Sequence, residues 1–280
     1  MTTTDPDAGV PDSERHRTER VRHPLRIRLL TVKRVHPLTP GMVRITLAGD
    51  DLAGFYSGAH DDHVKLFFPR AGEALPVLPK LEEGRVLVDE NNRPTARDYT
   101  PRHYDASAGE LDIDFALHES GPASDWARAA QPGDHLGVAG PRGSFVVRDD
   151  FDWYLLVGDE TALPAIARRL EELRPEARAL VVAEVADADA EQPLSSRADL
   201  QVQWLHRDGR TPGDNTLLAD AIGKLALPAG DGYVWIACES LTAKRLRDIL
   251  LATHGHPKAW LKASGYWKKG VANSHDEHAD

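Results

Sequence analysis

Two short segments of this sequence combine residues that can hold phosphates beside a flat aromatic ligand. The first is Arg-Asp-Tyr-Thr at residues 97–100, and the second is Gly-Pro-Ala-Ser at residues 121–124. An arginine pairs with phosphate through two hydrogen bonds, and an aromatic side chain two residues further along an extended segment can pack on a ring system. A Gly-Pro opening of a helix offers free backbone N–H groups to a second phosphate. Together the two segments predict a flavin cradle.

The roles of these residues follow from their chemistry. On this interpretation Arg97 binds the flavin phosphate, Tyr99 packs on the isoalloxazine, and Thr100 hydrogen-bonds the polar edge of the ring. The helix start contributes backbone N–H groups and the Ser124 hydroxyl at the positive end of the helix dipole. A Gly-Pro helix start without any ligand is the alternative, and core packing is the alternative for Trp126. The predicted cofactor-binding residues are Arg97, Tyr99, Thr100, Asp114, His118, Gly121, Pro122, Ala123, Ser124 and Trp126.

A second candidate site is the turn Gly-Asp-Glu-Thr-Ala-Leu-Pro at residues 158–164, where a nicotinamide dinucleotide would meet a helix N-terminus. The turn lacks the Gly-rich spacing of dinucleotide motifs, and its two carboxylates would repel a diphosphate. Glu184 could accept a ribose hydroxyl and Arg207 could meet a 2′-phosphate, although each is equally well a surface charge. The candidate NAD(P)H-site residues are Asp159, Glu160, Thr161, Glu184 and Arg207.

Cations concentrate in the last third of the chain, although the whole chain is acidic. They are Lys244, Arg245, Arg247, Lys258, Lys262, Lys268 and Lys269. Two interpretations remain open, namely a solvated helix face followed by a loose tail, or a rim that binds an anion. Lys65 would join that rim from the first half of the chain.

The elements that position these residues change in type near Asp149. From Leu25 to about Val147, short β-rich runs alternate with Gly, Pro and Asp breaks, which predicts an antiparallel barrel. The clearest strand is 111–118, where apolar and polar residues alternate. After Asp149 the order becomes strand, helix, strand, with helices near 215–226 and 240–253, which predicts a doubly wound parallel sheet.

The predicted domains are therefore a disordered polar tail over residues 1–23, a barrel over 24–148, an α/β domain over 149–271 and a flexible tail over 272–280. The first two dozen residues lack the apolar run that a signal peptide or a membrane-spanning helix needs. We therefore expect no insertion into a membrane.

Composition narrows the possible functions. The 280 residues include 34 basic and 44 acidic side chains, a formal charge of −10 that argues against general binding to nucleic acid or anionic membrane. The single cysteine, Cys238, excludes an intrachain disulfide, a four-cysteine iron–sulfur cluster and a zinc ribbon, and it favours a cytoplasmic protein. We expect no protein-bound metal, so that any redox centre is an organic cofactor.

Seven motifs together give the chain a family resemblance from about residue 25 to residue 270. They are DHVKLFFP at 62–69, RDYTPR at 97–102, IDFALHESGPASDWA at 113–127, GPRGSF at 140–145, GDETALPAI at 158–166, WLHR at 204–207 and SGYWKKG at 264–270. With these motifs the sequence resembles the siderophore-interacting protein family, which are flavin-dependent ferric-siderophore reductases of the ferredoxin-reductase-like superfamily.

The resemblance implies a six-stranded barrel that holds FAD, a nucleotide-reductase-like second domain, and reduction of a ferric siderophore with release of Fe(II). NADH, NADPH or ferredoxin would be the electron donor. It also implies a basic substrate pocket formed by Lys65, Lys244 or Arg247, and Lys268. Reduction loosens the ion because hard oxygen ligands hold Fe(III) more strongly than Fe(II).

Two departures and two other functions stay open. Cys238 stands where the family has glycine, so it either approaches the nicotinamide side or is a buried structural thiol. Lysines at 268 and 269 replace arginines, which keeps the charge and loses two-point hydrogen bonding. The alternative functions are a ferric-siderophore carrier without turnover and a general NAD(P)H:flavin or ferredoxin reductase.

Overall fold

The computed structural model describes residues 15–82, 85–118 and 121–271, and the backbone of residues 276–277. Its strands are β1 (Thr18–Arg22), β2 (Ile27–Thr39), β3 (Met42–Ala48), β4 (Val64–Phe68), β5 (Lys80–Glu82), β6 (Arg85–Leu87), β7 (Thr95–Tyr99), β8 (Pro101–Asp105), β9 (Glu110–Ala116), β10 (His135–Ala139), β11 (Gly143–Val147), β12 (Trp153–Gly158), β13 (Arg178–Val185), β14 (Asp199–His206), β15 (Gly232–Glu239), β16 (Leu261–Trp267) and β17 (Asp276–Glu277). Its helices are α1 (Pro122–Ala129), α2 (Leu163–Glu172), α3 (Leu217–Lys224) and α4 (Ser240–Ala252).

The first half of the chain forms one curled antiparallel sheet. Its seven strands run in the order β7-β4-β10-β2-β3-β9-β8. Because β7 and β8 lie at opposite edges of this sheet and only Thr100 separates them in the chain, the sheet must curl until its two edges meet. Leu111, Ile113 and Phe115 of β9 are fully buried inside the curl, as the alternating sequence predicts. We call this unit the barrel.

Helix α1 packs against the barrel core. Pro122 occupies its first turn, where backbone N–H groups have no acceptor within the helix, so the N–H that proline lacks costs no hydrogen bond. Ala123 and Ala127 are buried against the barrel interior, and the Trp126 ring lies 5.7 Å from the Phe68 ring. The start of α1 is thereby held next to strands β4 and β9.

The second half forms a parallel sheet with helices on both faces, as predicted. Strands run in the order β14-β13-β12-β15-β16-β17, and the first five are parallel. Strands β12 and β15 are buried along their whole length, which accounts for their continuous apolar sequences. Helix α2 covers one face of the sheet, and helices α3 and α4 cover the other.

The barrel packs on the face of the parallel sheet that α2 covers. Met42 and Phe145 of the barrel belong to the same core as α2. From α2, the Arg168 guanidinium donates to the carbonyls of Ser57 at 2.9 Å and Pro101 at 3.1 Å. Helices α3 and α4 therefore lie on the far side of the sheet from the barrel.

The N-terminal segment corrects one sequence prediction. Residues 18–22, assigned to the disordered tail, form strand β1 and pair antiparallel with β11. His16 lies between Asp150 at 3.3 Å and Asp231 at 3.0 Å, and its ring stacks on Phe151 at 4.2 Å. The local sequence does not predict this strand, because the strand forms by pairing with β11, which is distant in the chain. The rest of the predicted tails, residues 1–14, 272–275 and 278–280, lies outside the described residues.

Helices in the described ranges are too short or too polar to cross a lipid bilayer.

Candidate functional site

Strand β7 presents Arg97 and Tyr99 on one face. The Tyr99 ring lies 4.5 Å from the Phe115 ring, and burial raises the pKa of Tyr99, so the phenol stays neutral. Arg97 donates a 2.7 Å hydrogen bond to the carbonyl of Ala96, and it pairs with no carboxylate in the described part of the chain. The structure thus brings together an aromatic wall and a guanidinium with donors available for an anion.

The start of α1 forms a cradle beside this wall. Gly121 has a φ of 145°, and a Cβ there would come within 3.3 Å of His118 Cε1. Ser124 Oγ accepts the His118 amide at 3.3 Å. Within the described residues, the amides of Ala123 and Ser124 have no hydrogen-bond acceptor, since they lie in the first turn of the helix. Such a cradle fits the diphosphate of FAD.

Asp114 and Trp126 contribute to the wall from within. The buried Asp114 carboxylate accepts hydrogen bonds from Arg44 Nε at 2.6 Å and Arg44 Nη2 at 2.8 Å. The Trp126 ring lies 5.8 Å from Phe115, in the core. Arg44 already hydrogen-bonds both carboxylate oxygens of Asp114, so the predicted contact of Asp114 with the cofactor would have to compete with Arg44.

Thr100 lies at the bend between β7 and β8, beside the parallel sheet. Its side chain is buried near the Tyr266 hydroxyl of β16. The local sequence around Tyr266 does not predict that Tyr266 lies near Thr100, because the two residues belong to different domains. The sequence identifies the Gly-Tyr-Trp motif as a family feature only and does not predict this position of Tyr266.

The predicted basic set does not assemble as a whole. Lys65 of β4 lies directly opposite Asp98, with Nζ 2.7 Å from Oδ1, on the side of the strand away from Arg97. Lys244 is exposed on α4 and pairs with Asp248 at 3.3 Å, and Arg247 lies 3.8 Å from the same carboxylate. Since α4 covers the far face of the parallel sheet, Lys244 and Arg247 are separated from Lys65 by that sheet.

Lys268 is placed differently from the cations of α4. It is exposed, and it follows two residues after Tyr266. Lys262, on the same strand as Tyr266, also reaches the barrel, with Nζ 2.6 Å from Asp61 Oδ2. Strand β16 therefore directs Lys262 toward the barrel, and Lys268 follows directly after the end of the strand.

The carboxyl end of the parallel sheet gathers the candidate NAD(P)H residues. Asp159 is buried and accepts hydrogen bonds from the Thr161 amide at 3.0 Å and Trp267 Nε1 at 2.8 Å. Burial, with a further contribution from the Glu160 carboxylate, raises the pKa of Asp159 to about 6. Asp159 Oδ1 is turned toward Thr161, since it also accepts the Thr161 hydroxyl at 2.5 Å.

Arg207 is occupied by ion pairs at this edge. Its guanidinium makes a two-point contact with Glu160, one bond of which is 2.8 Å long, and lies 3.4 Å from Glu184 Oε1. Glu184 is buried and accepts a further bond from Asn215 Nδ2 at 2.9 Å. A 2′-phosphate at Arg207 would have to compete with two carboxylates.

Cys238 is a buried thiol at the end of β15. Only 1% of it is exposed, and it faces the core shared with α3 and α4. Burial, reinforced by the carboxylates of Asp159, Glu184 and Glu239, raises its pKa well above the ordinary value. Of the two interpretations from sequence, this geometry supports the structural thiol.

A curled antiparallel sheet joined to a parallel α/β sheet is the ferredoxin-reductase-like fold. The chain belongs to the siderophore-interacting protein family. Residues 31–145 match the model of the siderophore-interacting FAD-binding domain, and residues 151–270 match that of the siderophore-interacting protein.

Three similar proteins illustrate the family. An NADPH-dependent ferric-chelate reductase of Escherichia coli is 41% identical over 255 residues, which are 89% of this chain and 96% of that protein. The ferric vibriobactin reductase ViuB of Vibrio cholerae is 34% identical over 246 residues, 87% of this chain and 90% of that protein. The crystal structure of a siderophore utilization protein from T. fusca has a TM-score of 0.88 and 43% identity, covering 94% of this chain and 100% of that one.

Proposed function

We propose that this protein is an FAD-dependent reductase that converts ferric siderophores to their Fe(II) form, with NADPH as electron donor. The observation that carries the proposal is the meeting of an available guanidinium, an aromatic wall and unpaired helix amides at one place, inside the matched FAD-binding domain. The names of the Escherichia coli and Vibrio cholerae relatives support the ferric substrate.

The residues of the barrel would hold FAD in a fixed orientation. Arg97 and the first turn of α1 bind the two phosphates, and Tyr99 packs on the ring. Gly121 keeps the backbone close to the diphosphate because it carries no side chain. Counting β7 and β8 as one strand bent at Thr100 makes the barrel six-stranded. When bound, FAD accepts two electrons from NADPH and delivers them singly to two ferric ions.

Lys268 forms the cationic part of the proposed substrate site, and Lys65 is left out because it lies on the side of the strand away from Arg97. A ferric tris-catecholate is a trianion, so an exposed ammonium group attracts and orients it. Lys244 and Arg247 are left out of the site because they lie across the parallel sheet.

The donor binds in this proposal at the carboxyl end of the parallel sheet, by the turn that contains Thr161. NADPH is favoured over NADH and ferredoxin by the name of the Escherichia coli relative. The ion pairs of Arg207 with Glu160 and Glu184 must open for a 2′-phosphate to bind there, which predicts weak NADPH binding. A cytoplasmic location belongs to the same proposal, in keeping with the single buried cysteine.

Anaerobic stopped-flow spectroscopy of the FAD-saturated protein tests the function. We expect NADPH to bleach the flavin, a ferric catecholate to restore its colour, and two Fe(II) ions to appear in a chelator trap for each NADPH consumed. A protein that binds the ferric siderophore without reoxidising its flavin would be a carrier. Equal rates with quinones and dyes at matched driving force would identify a general reductase.

Charge reversal tests the substrate site. Lys268→Glu should raise the KM for the ferric catecholate on the order of tenfold, since reversal turns attraction of a trianion into repulsion. Lys244→Glu is the matched control, because that lysine is also exposed but lies on the far face. Equal KM changes for the two variants would remove Lys268 from the site.

A further inference from the structure

We propose that Glu239 binds the electron donor and accepts a hydrogen bond from the nicotinamide riboside half of NADPH. The inference deepens the proposed function and rests on it, because it takes a nicotinamide dinucleotide as the reductant. It assigns the uncharged half of that dinucleotide to one carboxylate oxygen at the end of β15.

Glu239 is the last residue of β15, and one of its carboxylate oxygens has no partner. The side chain caps α4, because Oε2 accepts the Thr242 amide at 2.9 Å. Only 3% of Glu239 is exposed, and no donor among the described residues reaches the other oxygen, Oε1. Buried carboxylate oxygens nearly always accept hydrogen bonds, since an unpaired one costs free energy. The first oxygen therefore has a structural role, and the second is open to a ligand that donates.

The place of Glu239 in the parallel sheet points to a dinucleotide. Strands β13 and β14 lie on one side of β12, and β15 and β16 lie on the other, so the strand order reverses between β12 and β15. In open parallel sheets, ligands bind outside the carboxyl ends of the strands at such a switch point. Gly158 at the end of β12 pairs with Ala237 of β15, so the turn after β12 and the end of β15 meet there.

A loop and an indole ring hold Glu239 at this switch point. Gly213, in the loop between β14 and α3, has a φ of 69°, and a Cβ there would lie 2.9 Å from both Glu239 Cγ and Trp267 Cη2. Trp267 in turn donates to Asp159 Oδ2 at 2.8 Å, directly after the end of β12. Glu239 is therefore fixed between the two strand ends, under a backbone position that suits only glycine.

The same edge of the sheet adjoins the part of the barrel proposed to face the flavin ring. The turn at residues 160–162 lies against β9, and Phe115 of β9 packs on Tyr99 at 4.5 Å. Hydride transfer requires the nicotinamide to lie beside the isoalloxazine, so the nicotinamide half takes this end of the crevice. A carboxylate repels a diphosphate but accepts hydrogen bonds from ribose hydroxyls and from a carboxamide N–H. Glu239 Oε1 therefore suits the nicotinamide riboside.

Calorimetric titration of the FAD-loaded protein tests the assignment without turnover. The ligands are tetrahydro-NADP, an analogue of NADPH that transfers no hydride, and 2′,5′-ADP, which lacks the nicotinamide riboside and is the matched control. Glu239→Gln keeps the size of the side chain and an acceptor for the Thr242 amide, and it removes the charge. We expect the Kd for tetrahydro-NADP to rise on the order of tenfold in E239Q, the loss of one hydrogen bond to a charged acceptor, and the Kd for 2′,5′-ADP to stay unchanged.

A second variant and a third ligand sharpen the result. Glu239→Ser keeps a helix cap but is too short to reach the ligand, so it should show the same selective loss. The third ligand is 2′-phospho-ADP-ribose, which keeps the second ribose without the nicotinamide. A weaker Kd for this ligand in E239Q assigns the ribose hydroxyl, and an unchanged Kd assigns the carboxamide.

The outcomes separate the inference from the function on which it rests. An unchanged Kd for tetrahydro-NADP in E239Q, or equal losses for tetrahydro-NADP and 2′,5′-ADP, overturns the inference alone. A wild-type protein that binds neither ligand removes NADPH as the donor from the proposed function, and the inference falls with it.

Discussion

The Asp61–Lys262 ion pair is the contact on which the junction of the two domains should depend most. Only 5% of the Asp61 side chain is exposed, and it receives both the Lys262 ammonium and the Trp235 indole. Burial alone would raise the pKa of Asp61. The Lys262 charge and the hydrogen bonds outweigh it and lower the pKa from 3.8 to about 2.

These values give the size of the expected effect. A pKa lowered by about 2 units corresponds to about 2.5 kcal/mol of stability at neutral pH. Breaking a buried pair also strands the remaining charge, which costs about 3–5 kcal/mol in other proteins. We therefore expect Asp61→Ala to reduce the free energy of unfolding by about 3 kcal/mol. The sign for pH follows from the lowered pKa: the contribution is complete above the unfolded pKa and is lost as pH falls toward 2.

Urea denaturation at a series of pH values measures this difference. The gap between the wild type and D61A should be constant above pH 5 and narrow on acidification below about 4. Asp214→Ala is the matched control, because Lys269 lies 2.8 Å from Asp214 but both side chains are more than half exposed. That exposed pair should contribute less than about 1 kcal/mol. Equal losses in the two variants would refute the assignment of the buried pair as the main lock.

Two further predictions concern the carboxyl end of the parallel sheet. The pKa of Asp159 is raised to about 6, so its stabilising protonated form is lost as pH rises. The free energy of unfolding should therefore fall from pH 4 to pH 7 more steeply in the wild type than in Asp159→Asn. Parallel pH profiles of the two proteins in urea denaturation would contradict this. Burial keeps the Cys238 thiol neutral, so the native protein should not react with a chromogenic disulfide reagent at pH 7.5. The urea-unfolded chain should release one equivalent of the chromophore. Rapid labelling of the native protein would show the thiol to be accessible.

Local patterns predicted most of the fold. The alternating run at 111–118 became β9, whose apolar residues fill the barrel, because a half-buried strand has a period of two residues. The helix expected near 240–253 is α4, and the strand-helix-strand order gave the parallel sheet. Phosphate binding by the segments 97–100 and 121–124 stays a prediction, made from particular residue types at particular offsets.

The rest depends on contacts that no local pattern contains. The basic set was predicted from residue type and from the family resemblance, and the structure divides it because α4 covers the face of the parallel sheet away from the barrel. Asp61 could not be predicted because its partner Lys262 lies in the other domain. Arg44 hydrogen-bonds Asp114, and this partner of Asp114 could not be predicted before the pairing of β3 with β9 was known.

The pairing of β1 with β11 has a practical consequence for anyone preparing this protein. A truncation at residue 24, the obvious choice if the N-terminus is regarded as unstructured, would delete the whole of β1 and leave β11 without its pairing strand in the described fold. It would also remove the imidazole that lies between Asp150 and Asp231, leaving two carboxylates without their shared neighbour. Shortened versions should keep every residue from Arg15 onward.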